Sequence, residues 1–175
     1  SINGPEDVDG LRIRVPVSPI WTSLFEALGA APVSIPFGEV YMGLQTNVVE
    51  AQENPLSLIS SARLFEVQRY CSLTRHMWDG FYFFASSGRW SQLPDDVKEI
   101  ITRNLDAAAV AQRADIAAAD VQLRASLEQA GMSFNEPDIE PFRAKLRETG
   151  YYADWREQFG EEAWALLEQY TGPLG

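Results

Sequence analysis

The chain has 175 residues, 46% of them hydrophobic and 11% aromatic, enough to build one sizeable domain or two small ones and too apolar for disorder. Its formal net charge of −11 argues against nucleic acid or an anionic membrane surface as a partner. Cys71 is the one cysteine and His76 the one histidine, which excludes an internal disulfide and any metal centre rich in cysteine or histidine; no run of apolar residues is long enough to span a bilayer.

The first residues, Ser1-Ile2-Asn3-Gly4-Pro5, read as a linker within something longer rather than a signal peptide. Residues 4–10 are turn chemistry, and residues 11–15 alternate apolar and basic side chains, predicting a half-buried strand. Ser18-Pro19 predicts a helix start, Trp21, Leu24, Phe25 and Leu28 its apolar face, and Gly29 its end. A second short strand over residues 32–35 completes a βαβ pattern, the basis for an α/β fold.

Residues 35–55 organise the rest. A short helical pattern through Val40 and Leu44 is bracketed by Pro36-Phe37-Gly38 and Gln52-Glu53-Asn54-Pro55, each reading as a helix start. Helix starts present unpaired N–H groups and suit an anion. With Arg14 at the end of the preceding strand, an arginine, an amide and an aromatic ring converge on a carboxylate site.

Helical spacing continues over residues 56–67, residues 70–77 are strand-like, and residues 80–85 are apolar on both faces, as expected of a central strand. Leu93-Pro94-Asp95-Asp96 opens a helix running to about residue 130, roughly 54 Å at 1.5 Å per residue. That exceeds the diameter of a small domain and predicts a bridge between two bodies. A short strand over residues 132–134 and two or three helices broken at Gly150 and Gly160 finish the chain.

Each candidate residue carries two readings. Arg14 offers a planar fork for a carboxylate, or a surface ion pair; Arg12 is read as solvated. Asn54 is a ligand donor, an N-cap, or both. Phe37 and Trp78 are pocket walls or core, and Asp79 accepts a ligand hydroxyl or amine if it lines the pocket. His76 reads as structural, and Glu39 and Glu53 as capping or salt-bridging groups. No nucleophile elbow or phosphate loop is present, so a hydrolase or lyase using His76 with a glutamate is the rival reading, beside a small-molecule-sensing domain.

Residues 10–16 (Gly-Leu-Arg-Ile-Arg-Val-Pro), 36–41 (Pro-Phe-Gly-Glu-Val-Tyr), Leu44-Gln45-Thr46, Gln52-Glu53-Asn54-Pro55 and Phe65-Glu66-Val67-Gln68 occur in an order and spacing that resemble the DctP-type substrate-binding proteins of TRAP transporters. The resemblance covers essentially the whole chain and only the later half of such a receptor. It implies a type II-like periplasmic-binding-protein lobe with a long interlobe helix and C-terminal helices. Residues 1–79 and 120–175 would form the second lobe, and 80–119 the hinge and first-lobe segment. It further implies capture of a small organic acid in the periplasm, without a cofactor or catalysis, and delivery to the small and large permease subunits. Arg14 matches the family's carboxylate-pairing arginine, Asn54 its ligand-bonding asparagine and Phe37 a pocket aromatic; Trp78 and Asp79 fall where specificity varies. Glu50-Ala51 replaces the usual Asp-Gly. With most of the first lobe absent, residues 81–84 should lack a full partner sheet, and the chain should self-associate or lose stability.

Overall fold

The computed structural model describes residues 1–78 and 80–174. Strand β1 (Arg12–Val15), helix α1 (Pro19–Ala27) and strand β2 (Ala31–Ser34) form the expected βαβ unit, with β1 and β2 parallel from Arg12↔Ala31 to Val15↔Ser34. Proline at the first turn of α1 loses no hydrogen bond there. Gly29 ends the turn at φ +93°, and a Cβ on it would lie 2.6 Å from Asp9 Oδ1. Only glycine fits that turn.

A 3-10 turn over Phe37–Glu39 leads into α2 (Val40–Gln45), which buries Val40 and Leu44 as its spacing requires. The chain then returns to the far edge of β1 as β3 (Ala51–Gln52), giving a parallel sheet of order β2-β1-β3 with Arg14 opposite Gln52. Next come α3 (Leu56–Ser61), β4 (Tyr70–Ser72), the single-turn α4 (Ser87–Trp90) and α5 (Asp95–Gln129). Strand β5 (Ser133–Asn135) pairs in parallel with β4, and α6 (Glu140–Glu148), α7 (Tyr151–Phe159) and α8 (Glu161–Thr171) complete the chain.

Two apolar clusters hold these elements. The first places Ile13 and Val15 of β1 against Leu24, Phe25 and Leu28, and is closed by Leu146 of α6 and Tyr151 of α7. The second gathers Val40, Leu44, Val49, Ile59 and Leu64 around Leu127 and Met132. Alternation along β1 sends Ile13 and Val15 to the first cluster and Arg14 to the opposite face. There its register neighbour Val33 packs on the second cluster.

The structure departs from the sequence reading in four places. Strand β1 is not half-buried: Ile13, Arg14 and Val15 are all buried, because the elements of the second cluster cover the face that alternation assigned to solvent. The helix expected over 56–67 stops at Ser61, and Arg63 turns left-handed (φ +54°) into a 3-10 turn at Leu64–Glu66. Ile59 and Leu64 would lie about 140° apart on one continuous helix. Both are buried in the same cluster, so the helix must break between them. The strand read over 70–77 pairs only as far as Ser72. Residues 81–84 form no strand; Phe81, Tyr82, Phe83 and Phe84 are 75–89% exposed, since among the described residues no sheet edge or apolar face reaches them.

Helix α5 has the expected length, about 52 Å at 1.5 Å per residue. It is anchored at one end only: Leu127 is buried, whereas Ile100, Leu105, Val110 and Ile116 stand exposed. Near the anchor, Glu136 accepts Arg124 of α5 at 2.7 Å and Arg75, from the segment leaving β4, at 2.9 Å. The Arg124 guanidinium also lies 5.5 Å over the Phe134 ring. Among the described residues no helix is long and apolar enough to cross a membrane.

Two stability outcomes are expected. Leu127→Ala removes the buried anchor of α5 and should cost about 2–5 kcal/mol. That corresponds to roughly 5–15 °C in the midpoint of a thermal melt followed by circular dichroism. Burial pushes the Cys71 thiol up to about 11 and the Tyr151 phenol up to about 12. The unfolded chain releases both protons first, so these groups stabilise the fold at neutral pH and their contribution falls as pH rises above about 9. Urea midpoints measured across the alkaline range should decline, and less steeply in Cys71→Ala.

Candidate functional site

The carboxyl edge of β2-β1-β3 is where a parallel sheet leaves a crevice for ligands. Arg14 reaches that edge from the middle strand. Its side chain is 4% exposed, its Nε donates to the Ile35 carbonyl at 2.8 Å, and its guanidinium carbon lies 5.9 Å from the centre of the Phe37 ring. Burial pushes the guanidinium below its ordinary pKa, and the Glu53 carboxylate pushes it back up. Arginine stays charged through shifts of this kind. Among the described residues, no carboxylate lies within ion-pair distance of Arg14. Among the described residues its terminal nitrogens make no hydrogen bond.

The segment past β3 supplies the polar neighbours. Gln52 is Arg14's register partner, and its Oε1 accepts the Asn54 side-chain amide at 2.5 Å. Asn54 therefore does not cap α3, which begins behind Pro55 with no side-chain cap. Glu53 points to His76, with Oε2 3.3 Å from Nε2, while His76 Nδ1 lies 2.7 Å from Thr74 Oγ1. Phe25 holds the imidazole edge-on at 5.5 Å between centroids. With the Thr74 hydroxyl donating to Nδ1, Nε2–H donates to Glu53 and keeps that carboxylate beside Arg14.

Of the residues singled out from sequence, Phe37 lies beside Arg14, and Asn54 bonds Gln52, the register partner of Arg14. Trp78 does neither: it is 82% exposed, and its indole lies against Gly80, where an added Cβ would sit 2.6 Å away. Asp79 lies outside the described residues. Arg12 is solvent-exposed and paired with Glu50 at 3.2 Å, as read. Helices α2 and α3, whose starts were read as anion sites, have six residues each, so the guanidinium supplies the main positive charge.

Glu53 and His76 join the site, although they read as capping and structural groups. The β1–β3 register, once known, puts residue 53 one step beyond Arg14's partner; nothing local in the sequence marks His76 as its mate. Thr74, His76 and Glu53 form a hydroxyl–imidazole–carboxylate series, the closest approach to the rival enzyme reading. A separate cavity of about 340 Å³ between α1 and α7 is lined by Glu26 and Asp154 and no basic residue, so it does not suit an acid. Among the described residues, no three metal-ligating side chains cluster.

Residues 1–158 match the model of the bacterial extracellular solute-binding proteins, family 7 (DctP). A solute-binding protein of Roseobacter denitrificans is 35% identical over 147 residues, 84% of this chain and 45% of that relative. A Roseobacter denitrificans TRAP periplasmic solute-binding protein solved with bound L-galactonate superposes with a TM-score of 0.79 at 34% identity, covering 85% of this chain and 50% of that one. The sialic acid-binding periplasmic protein SiaP of Vibrio cholerae is 32% identical over 146 residues, 83% of this chain and 46% of its own. A TRAP periplasmic solute-binding protein of Polaromonas sp. JS666, solved with D-erythronate, superposes with a TM-score of 0.89 at 28% identity, over 95% of this chain and 55% of that one. The chain thus spans about half the length of the relatives it matches, and those relatives are receptors rather than enzymes. The chain belongs to the family 7 (DctP) solute-binding proteins, the periplasmic receptors of TRAP transporters.

Proposed function

We propose that this chain forms the carboxylate-holding wall of a periplasmic receptor that captures a small organic acid without chemistry and passes it to the small and large subunits of a TRAP permease. The observation that carries this reading is Arg14: a buried guanidinium anchored through Nε alone, with no ion-pairing carboxylate among the described residues. A planar fork in that state takes a carboxylate through two charge-assisted bonds, strengthened by the low dielectric around it. Phe37 covers the ring side of the fork, and the Gln52–Asn54 pair offers amide groups to hydroxyls next to the acid. The relatives described above with L-galactonate, D-erythronate and sialic acid share a carboxylate on a hydroxylated chain. A sugar acid is therefore the favoured class, with hydroxy, keto and aromatic acids next.

The same features support a division into lobes. Residues 1–79 and 120–175 make the wall described here; residues 80–119, with the bare aromatics and the unanchored part of α5, belong against a second body. Trp78, next to that boundary and exposed here, meets the ligand only when the second body is in place, and Asp79 follows it in the sequence as the second specificity position. The Thr74–His76–Glu53 series, on this reading, holds the Glu53 carboxylate in place and performs no turnover.

Calorimetry and thermal-shift titration of the chain with L-galactonate, D-erythronate, sialic acid and D-glucuronate test the reading. A hit should weaken in Arg14→Ala by about 3 kcal/mol or more, ~150-fold. Binding unchanged in that variant, or a folded chain silent to every acid, would overturn it. Arg14→Met should also unfold at a temperature no lower than the parent, because a buried charge poised for a ligand is a cost to the ligand-free fold. A markedly lower midpoint would mark Arg14 as a structural tie to Ile35 instead.

A further inference from the structure

The order β2-β1-β3 reverses at β1: the chain leaves β1 through α1 to reach β2, then crosses back through α2 to reach β3. Helix α1 packs in the first apolar cluster and α2 in the second, so they lie on opposite faces of the sheet. A reversal of this kind opens a crevice between the carboxyl ends of the two diverging strands, here β1 and β3. Because α1 follows β1 directly, its first turn borders that crevice. Trp21 stands in this turn, four residues before Phe25, on the same helix face and one turn nearer the crevice. Phe25 touches the His76 ring, and His76 touches Glu53, the residue after Arg14's register partner. The Trp21 indole packs against the first cluster, and its N–H is shielded from water with no acceptor. Among the described residues it is the one buried side-chain polar atom in that state. The indoles of Trp155 and Trp164, by contrast, donate to Ser23 Oγ and Glu168 Oε1. A buried donor left unpaired is rare and costs stability.

We propose that Trp21 is a further binding residue of this site, its indole N–H donating to a hydroxyl oxygen of the sugar acid whose carboxylate Arg14 holds. The inference rests on the carboxylate reading given above. Trp21 as a whole is half-buried, so the bond requires a turn of the indole about its side-chain torsions and no opening of the fold. Indole has one donor and no acceptor. It therefore reads an oxygen on the ligand chain and gives nothing to a methylene or an ammonium. Arg14 alone would hold any carboxylate; Trp21 adds a preference for acids that carry oxygen beyond it. The bond is also uncharged, so its contribution should persist in salt that weakens the grip of the guanidinium.

Trp21→Phe keeps an aromatic body in the cluster and removes the donor. Titrations of parent and variant with L-galactonate and D-erythronate, and with hexanoate and butyrate as the same carbon chains without hydroxyls, test the inference. The sugar acids should bind the variant about tenfold more weakly, and the plain carboxylates should bind both alike. The ligand-free variant should melt no lower than the parent, because the unpaired donor is gone. Nitrogen–proton spectra supply a readout that packing alone does not move. The indole resonance missing from Trp21→Phe should shift when the parent is saturated with a sugar acid. Sugar-acid affinity unchanged in the variant overturns the inference, as does an equal loss for both kinds of acid, or an indole resonance that stays in place. Binding that vanishes in Arg14→Ala yet ignores Trp21→Phe removes this inference alone. A folded parent that binds no acid removes the carboxylate reading and this inference with it.

Discussion

One positive charge held out of water governs the architecture of the site. Arg14 sits on the central strand of three, with apolar clusters on either side of the sheet, and cannot swing into bulk solvent without dismantling β1. A guanidinium in that position needs negative charge nearby. The protein supplies part of it through Glu53, whose own orientation is fixed by His76, Thr74 and the edge of Phe25. Compensation is incomplete because Glu53 stops short of a direct ion pair. The deficit is local, directional and set by packing. Long-range repulsion from the chain's net negative charge is screened within about 10 Å in ordinary buffer.

What could be read from the sequence was local. The β1-α1-β2 unit was legible because proline, glycine and alternation each act within a few residues. The approach of Phe37 to Arg14 was expected from the same short stretch of chain. The burial of Arg14 was not, since alternation reports one face of a strand and cannot see that the second cluster closes over the other. The break after α3 was hidden for a related cause: helical spacing suited residues 56–67 well, but Leu64 had to join Ile59 in one cluster, a demand made by Leu127 from far along the chain. His76 and Glu53 are 23 residues apart and linked only through tertiary structure, so no spacing rule pairs them. Asn54 looked like a cap because asparagine before proline usually is one; Gln52, brought beside it by the turn out of β3, accepts its amide instead.

The C-terminal helices show the opposite balance. Glycines at 150 and 160 cut residues 140–171 into three short rods, and Leu146 and Tyr151 fasten the first two onto α1 and β1. The Tyr151 hydroxyl donates to the Ile20 carbonyl, and the Trp155 indole N–H donates to Ser23 Oγ, so α7 is tied to α1 by polar as well as apolar contacts. This stiffens the helix that supports the back of β1. One side of the sheet is backed by the second cluster and the other by these rods.

Helix α5 is a lever. It is seated only near Leu127, and its far end at Asp95 lies about 50 Å away. A rotation of about 5° about the seat would carry the far end about 4 Å, enough to engage or release a neighbouring body. Glu136 holds the fulcrum, gripping Arg124 on the lever and Arg75 on the segment that leaves β4. Displacement at that carboxylate would be magnified along α5, so that a small adjustment of surface ion pairs becomes a large stroke at the helix's outer end.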